Sequence, residues 1–312
     1  MLVRLIPIAF VVIWSTGWIV GKYVVPHADP LAFLVLRYAV AIAVIAPIAF
    51  LLRARWPKRP AAWGHAMANG VLMHGVYLGG VWWAIAHGVP AGVSALIAAL
   101  QPLFTALAAG PMVGERLSGI RWGGIALGFV GVALVVAPKL GGGLPLGLPL
   151  AVNVLAMVAL TAATLHQKRS LAGVDLMTLA PVQYLGALIA TLAVVPLLGE
   201  FRFDATPEAF WALAFSVLVL SVAAILMMLY MIERGEVSRV AALIYLVPPL
   251  AAFEAWAMFG ETLGAIQIAG MALAACGVLL ANGRRAPASA EGCIAAKTPD
   301  EEDAAETIRR PA

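Results

Sequence analysis

Apolar residues run along this chain in long unbroken stretches separated by short polar breaks. The stretches cover roughly residues 5–25, 31–52, 64–86, 91–112, 121–137, 148–167, 176–198, 209–231, 240–259 and 264–282. A helix crosses a ~30 Å hydrocarbon core in about 20 residues, so the pattern predicts about ten transmembrane helices. A transmembrane barrel would instead alternate apolar and polar positions over short segments. Helices satisfy their own backbone polar groups, as lipid requires. The expected fold is all-α and integral to the membrane. The first run, Leu5 to about Val25, is too long for a signal peptide and lacks an Ala-x-Ala cleavage pattern, so it reads as the first span.

Composition agrees. Hydrophobic residues make up 63% of the 312 and charged residues only 12%, whereas a soluble domain is nearer half apolar and a quarter charged. The formal charge of +4 is spread over short loops, which is a topology signal and not a nucleic-acid footprint. With the N-terminus inside, thirteen Lys and Arg fall at cytoplasmic ends, among them Arg53, Arg55, Lys58, Arg59, Lys168 and Arg169. Only Lys22, Lys139 and Arg202 fall at outer ends. The positive-inside rule then places both termini in the cytoplasm. Residues 286–312 are polar and acidic and predict a disordered tail. Cys276 and Cys293 offer neither metal spacing nor a disulfide framework.

The chain also matches itself at a shift of about 146 residues. GVPAGVSALIAALQPL, from Gly88, overlies GEVSRVAALIYLVPPL, from Gly235. Gly114-Glu115 meets Gly260-Glu261, and Lys22, Asp29 and Tyr38 meet Lys168, Asp175 and Tyr184. The two units are 1–138 and 139–285. Five spans per unit is odd, so the second unit should enter the membrane upside down. Inverted repeats place a binding site near the midplane, and rocking one half against the other gives alternating access. A duplication kept only for folding, or a channel, would share the pattern.

Three segments carry a family resemblance: WSTGWIVGKYVVPHADPLAFLVLRY from Trp14, VGERLSGIRWGGIALGFVGVALVV from Val113, and FGETLGAIQIAGMALAACGVLL from Phe259. They resemble the EamA-type family of the drug/metabolite transporter superfamily. A Gly-Glu closing each fourth span of a repeat, followed by a Gly-rich fifth span, appears twice. The resemblance implies ten helices around a central cavity in an inner membrane. It also implies export of amino acids, other metabolites or toxic compounds. It reaches Lys22, Arg37, Glu115 and Glu261, and makes Lys22 and Arg37 parts of a gate or scaffold. Glu254 lies outside the family pattern.

Individual residues sharpen this. Pro102 and Pro249 fall mid-span at equivalent places, where proline releases the carbonyl four residues earlier. With Gln101 and Tyr245 beside them, the fourth and ninth spans are expected to line the substrate cavity; a plain packing kink is the alternative. Glu254, a carboxylate inside a span, marks function by default. It is a proton-coupling or cation-recognising candidate, unless it pairs structurally with Arg37 or His74 or sits at the outer interface. His74 titrates in a useful range and could relay a proton to Glu254, or simply bond a neighbouring helix. Asn69 lies on roughly its face.

Lys22 can snorkel outward. Arg37 is deeper and needs a partner, and it meets substrate only if the substrate is anionic. Glu115 and Glu261 precede helices and are expected to cap them or to latch a gate. Trp14, Trp18, Tyr77 and Tyr245 would line an aromatic cavity, while Trp82, Trp83 and Tyr230 read as interfacial belt.

Two small-residue stripes, Gly124/Gly128/Gly131 and Gly270/Ala274/Gly277, permit close helix approach, within the chain or at a homodimer contact. No His-Glu-x-x-His, Gly-x-Ser-x-Gly or phosphate-cradling loop occurs, which weighs against an intramembrane enzyme. No cofactor or metal is implied. Without a nucleotide-binding motif, transport would draw on ion or substrate gradients. The partners expected are a small-molecule substrate, protons and the lipid bilayer.

Overall fold

Lipid leaves a backbone no partner but itself, and this chain answers with helices. The computed structural model describes residues 5–101, 103–105, 107–108, 118–140, 147–233, 247–261 and 264–282. Pro102, Glu115, Tyr245 and the 286–312 tail lie outside the described residues. The described residues up to Ala281 form one compact unit.

The helices are α1 (Ile6–Val24), α2 (Pro30–Leu51), α3 (Pro60–Gly70), α4 (Gly79–Ala86), α5 (Ala91–Ala98), α6 (Gly119–Leu140), α7 (Gly147–Ser170), α8 (Leu176–Leu198), α9 (Pro207–Val217), α10 (Ala224–Glu233), α11 (Val247–Phe259) and α12 (Ala265–Asn282). A π-helical stretch, Val71–Leu78, joins α3 to α4, and a second, Leu218–Ala223, joins α9 to α10. Among the described residues β pairing is limited to an isolated bridge between Ala28 and Phe203.

Among the described residues five helices are long and apolar enough to cross a membrane: Ile6–Val24, Pro30–Leu51, Gly147–Ser170, Leu176–Leu198 and Pro207–Met231. Shorter apolar helices cover Trp122–Val135 and Ala265–Leu280. Five against the ten expected partly reflects that the stretches expected at 91–112 and 240–259 lie in part outside the described residues. The expected third span is helical throughout Pro60–Ala86 but passes through the π stretch. The fourth breaks into a turn at Ala99–Leu100, just before Pro102. Large apolar side chains such as Leu51 (82% exposed), Leu197 (80%) and Trp211 (75%) face outward, as a lipid-facing surface requires.

Helix starts follow local chemistry. Asp29 Oδ1 accepts the amides of Leu31 and Ala32 at 2.9 and 3.0 Å and so caps α2. Asp175 Oδ1 does the same for α8 through Met177, at 2.9 Å. Both carboxylates meet the positive end of a helix dipole. Pro60 and Pro207 each occupy the first helical position, where the missing amide has no intrahelical partner to lose. The two caps lie one repeat apart, as do the two prolines and the two π stretches.

The caps sit in different loop clusters. Asp29 donates its amide to Arg202 O at 3.0 Å, and Asp204 donates its own to His27 O at 2.8 Å, so loops 25–29 and 199–206 meet. Arg55 donates its amide to Asp175 at 3.3 Å, and Thr178 Oγ1 donates to Arg55 O at 3.0 Å, so loops 52–59 and 171–178 meet. The chain therefore runs in opposite directions along α2 and α8, which pack against each other.

Backbones approach closely at glycines. Gly70 lies against the Gln183 backbone and Gly186 against that of Met67, locking α3 to α8. Gly131 lies against Gly270 and Ala274, and Gly277 against Gly124 and Gly128. The two small-residue stripes are thus spent on each other inside the chain, joining α6 to α12. Overpacking a close contact costs about 1–3 kcal/mol. Gly131→Leu should therefore lower the melting temperature in detergent by several degrees. Gly123→Leu on the same helix, where a side chain meets nothing within 4 Å, should leave it nearly unchanged.

Candidate functional site

A carboxylate inside an apolar bundle has to find a donor, and Glu254 finds one on α1. Ser15, fully buried, donates its hydroxyl to Glu254 Oε1 at 2.7 Å. Glu254 Oε2 is buried with no hydrogen-bond partner among the described residues. Further along the same pair of helices, Lys22 Nζ forms an ion pair with Glu261 Oε1. Both contacts join residues 239 apart in sequence, so α1 and α11 lie in parallel with one fixed register. Glu261 Oε1 also accepts the amide of Ala91, at 3.3 Å, at the start of α5. The Lys22 ammonium stands 5.0 Å from the centre of the Phe259 ring. One end of α1, α5 and α11 is thus tied together by two charges.

This arrangement bears on alternatives that the sequence leaves open. Glu254 pairs with neither Arg37 nor His74, because Ser15 meets it directly across the helix contact. At the start of α12, Gln267 Oε1 accepts the Gly264 amide, at 2.9 Å. Glu261 latches α1 and α5. Lys22 meets its anion and does not reach out to solvent alone.

A second cluster gathers on α2, α8 and the two π stretches. Tyr38 and Tyr184, one repeat apart, stack with centroids 5.7 Å apart and planes 17° from parallel. His74, in the first π stretch, lies 4.6 Å from the Tyr184 ring and 6.1 Å from that of Tyr38. Tyr38 Oη donates to the His74 carbonyl at 2.8 Å. Tyr184 Oη donates to Ser221 Oγ in the second π stretch at 3.0 Å, and Ser221 Oγ in turn donates to Ser216 O at 3.2 Å. Arg37 closes the cluster, 3.5 Å from Ser221 Oγ and 5.8 Å from the Trp82 ring centre. His74 therefore belongs with aromatic rings and Arg37, not with Glu254. π-Helical turns recur at functional sites because they re-aim side chains within a helix.

A third set is amide chemistry. Asn69 Nδ2 donates to Ala163 O at 2.6 Å, and Gln183 Nε2 donates to Asn69 Oδ1 at 2.7 Å and to Gln167 Oε1 at 3.2 Å. Gln101 Nε2 donates to Thr164 Oγ1 at 2.9 Å, tying the end of α5 to α7. Asn153 Nδ2 donates to Ser94 Oγ at 2.7 Å. Partners such as Ser15, Ser221, Tyr184 and Gln183 are not visible as site residues from sequence pattern alone. The one signal available was the repeat: Gln183 and Tyr184 occupy the places of Arg37 and Tyr38.

The aromatics divide differently from expectation. Trp82 is fully buried rather than interfacial, packed on Phe33 at 5.7 Å. Trp14 is 44% exposed and Trp18 only 6%, since α1 meets its neighbours on the Ser15–Trp18 side and leaves Trp14 at the margin beside Phe10. Tyr77 is half-buried between two apolar clusters. The described part of α11 opens at Val247, which puts Pro249 in its first turn. Pro248 and Pro249 line an apolar cavity of about 540 Å³ with Leu96, Leu100, Trp256 and Met271, between α5, α11 and α12. No group of three or more His, Cys, Asp or Glu that could hold a metal occurs among the described residues.

Apolar helices of spanning length, lipid-facing side chains and buried charges define a multi-pass helical membrane protein. The chain belongs to the EamA-like transporter family, which it matches twice, over residues 3–137 and 146–283. It is similar to a "Probable amino-acid metabolite efflux pump" of Salmonella typhimurium, 26% identical over 285 residues, covering 86% of this chain and 91% of the relative. It is also similar to a "Probable terminal-alkyne amino-acid exporter" of Streptantibioticus cattleyicolor, 30% identical over 67% of this chain and 71% of the relative. A crystal structure sharing 20% identity superimposes with a TM-score of 0.62, over 90% of this chain and 96% of the other, and establishes likeness of fold.

The Lys22–Glu261 latch is testable by a double-mutant cycle on Lys22→Met and Glu261→Gln. The pair is part-exposed, with side chains 32% and 15% accessible, so a coupling of about 1 kcal/mol is expected in unfolding measurements. A coupling near zero would mean the two helices do not need the ion pair.

Proposed function

We propose that this chain is a secondary transporter that exports amino acids or related metabolites across the inner membrane by alternating access. In this reading residues 1–138 and 139–285 are two inverted five-helix repeats, with both termini in the cytoplasm. Opposed directions of α2 and α8, and repeat-equivalent loops 25–29 and 171–175 in separate clusters, support the inversion. The names borne by the amino-acid pump and exporter support the substrate class.

The observation that carries the mechanism is the parallel α1–α11 joint. Glu254 is held there by one hydroxyl and no cation, with its second oxygen buried and unpaired among the described residues. A carboxylate locked in an ion pair cannot trade its proton cheaply, whereas one held by a serine can. Proton binding at Glu254 would change how α1 and α11 hold each other. The Lys22–Glu261 latch at one end of the same helices would open and close as the gate. Rocking then exposes the space between the repeats to one side at a time.

Reconstituted liposomes test this. Glu254→Gln should abolish uptake driven by a pH gradient while leaving counterflow exchange of the same amino acid. Unchanged pH-driven flux in that variant would remove Glu254 from the coupling. Wild-type flux that never saturates would point to a channel instead.

A further inference from the structure

Arg37 is buried, with only 6% of its surface accessible, on a helix of spanning length. A guanidinium at such depth is costly unless an anion or several acceptors meet it. No Asp or Glu forms an ion pair with it among the described residues. Its Nε is buried without any acceptor among them. Its Nη2 reaches only Ser221 Oγ, at the 3.5 Å limit, and that oxygen already accepts the closer Tyr184 hydroxyl at 3.0 Å. The cation rests over the Trp82 ring, which offers a face but no lone pair. Trp82 Nε1 is itself buried without an acceptor among the described residues. Two N–H donors and a full positive charge therefore converge where no oxygen of the described residues answers them.

The other half of the chain provides an internal control. Gln183, one repeat on from Arg37, is buried to the same 6%. Its amide is satisfied by Asn69 and Gln167. Packing at this place in the repeat is met by a neutral amide. The charge of Arg37 is a surplus that packing does not explain.

Resting on the transporter reading, we propose that Arg37, with Trp82 and Ser221, forms the subsite that binds the carboxylate group of the transported substrate. The Nε–Nη2 edge of a guanidinium matches the two oxygens of a planar carboxylate in a bidentate pair, and the indole N–H supplies a further donor. Tyr38, Tyr184 and His74, gathered through Ser221 and the tyrosine stack, flank this point with aromatic surface. The substrate class is a small carboxylate with an apolar or aromatic body, an aromatic amino acid included.

Ligand-induced thermal stabilisation of the purified protein in nanodiscs tests the subsite, with L-phenylalanine, 3-phenylpropionate and L-phenylalaninamide as probes. Both carboxylates should stabilise the wild type and the amide should not. Arg37→Gln, which copies the solution used at Gln183, should keep its melting temperature and bind the carboxylates at least tenfold more weakly. Arg37→Lys, lacking the fork, should fall between. Should Arg37→Gln fail to fold, Trp82→Phe keeps the ring and removes its donor, and should weaken carboxylate binding several-fold. Equal stabilisation by acid and amide, no stabilisation by either acid, or unchanged affinity in the variant that folds would overturn the subsite. Liposome flux separates it from the transport reading. Equal flux of phenylalanine and its amide overturns the subsite and leaves transport intact. Carboxylate-selective binding without flux of any probe supports the subsite and overturns transport.

Discussion

A carboxylate inside an apolar bundle needs a donor, and the way half-buried Glu254 meets that need sets how two distant helices lie together. Its bond to Ser15 and the Lys22–Glu261 pair fix α1 against α11 in a single parallel register. Parallel spanning neighbours require an odd number of spans between them, which the seven expected between the first and ninth stretches would provide. The contact also joins the start of the first half of the chain to the end of the second. The halves also meet where α2 and α3 pack on α8 and where α5 packs on α11.

The two π stretches give the remaining polar chemistry its place. An ordinary helix from Pro60 to Ala86 would present side chains at a constant pitch. The π stretch shifts that pitch part-way, so His74 and its carbonyl turn to Tyr38 and Tyr184. The second stretch does the same for Ser221. Tyr38 and Tyr184 stack on each other from helices that run in opposite directions. The site is thus built from corresponding parts of both halves, and it is asymmetric where Arg37 stands in one half and Gln183 in the other.

Much of the fold was legible in the sequence because lipid imposes one rule on every span. Long apolar runs, the repeat and the glycine stripes all follow from local pattern. The repeat also linked Tyr38 to Tyr184 before any contact was known. Partner choice was not legible. Nothing local distinguishes a tryptophan at a helix end that faces headgroups from one, like Trp82, that lies under a neighbouring helix. Glu261 precedes a helix and so reads equally as its cap or as a latch, and only the tertiary contacts with Lys22 and the Ala91 amide show which partners it meets. Trp14 and Trp18 share a helical face in projection, but a helix contact is narrow enough to bury one and leave the other out. Ser15 and Ser221 carry no pattern at all; only the tertiary contact gives them a role.

The central claim is that the halves face opposite ways, and sidedness at equivalent loops measures it most directly. Lys58 and Ala205 each stand two residues before the proline that opens a helix, Pro60 and Pro207, and both are exposed. In a background with Cys276 and Cys293 replaced by alanine, Lys58→Cys and Ala205→Cys can be probed separately in intact cells with a membrane-impermeant maleimide. Opposed halves predict labelling at 205 from outside and at 58 only after the membrane is permeabilised. Labelling of both positions from the same side would contradict that arrangement.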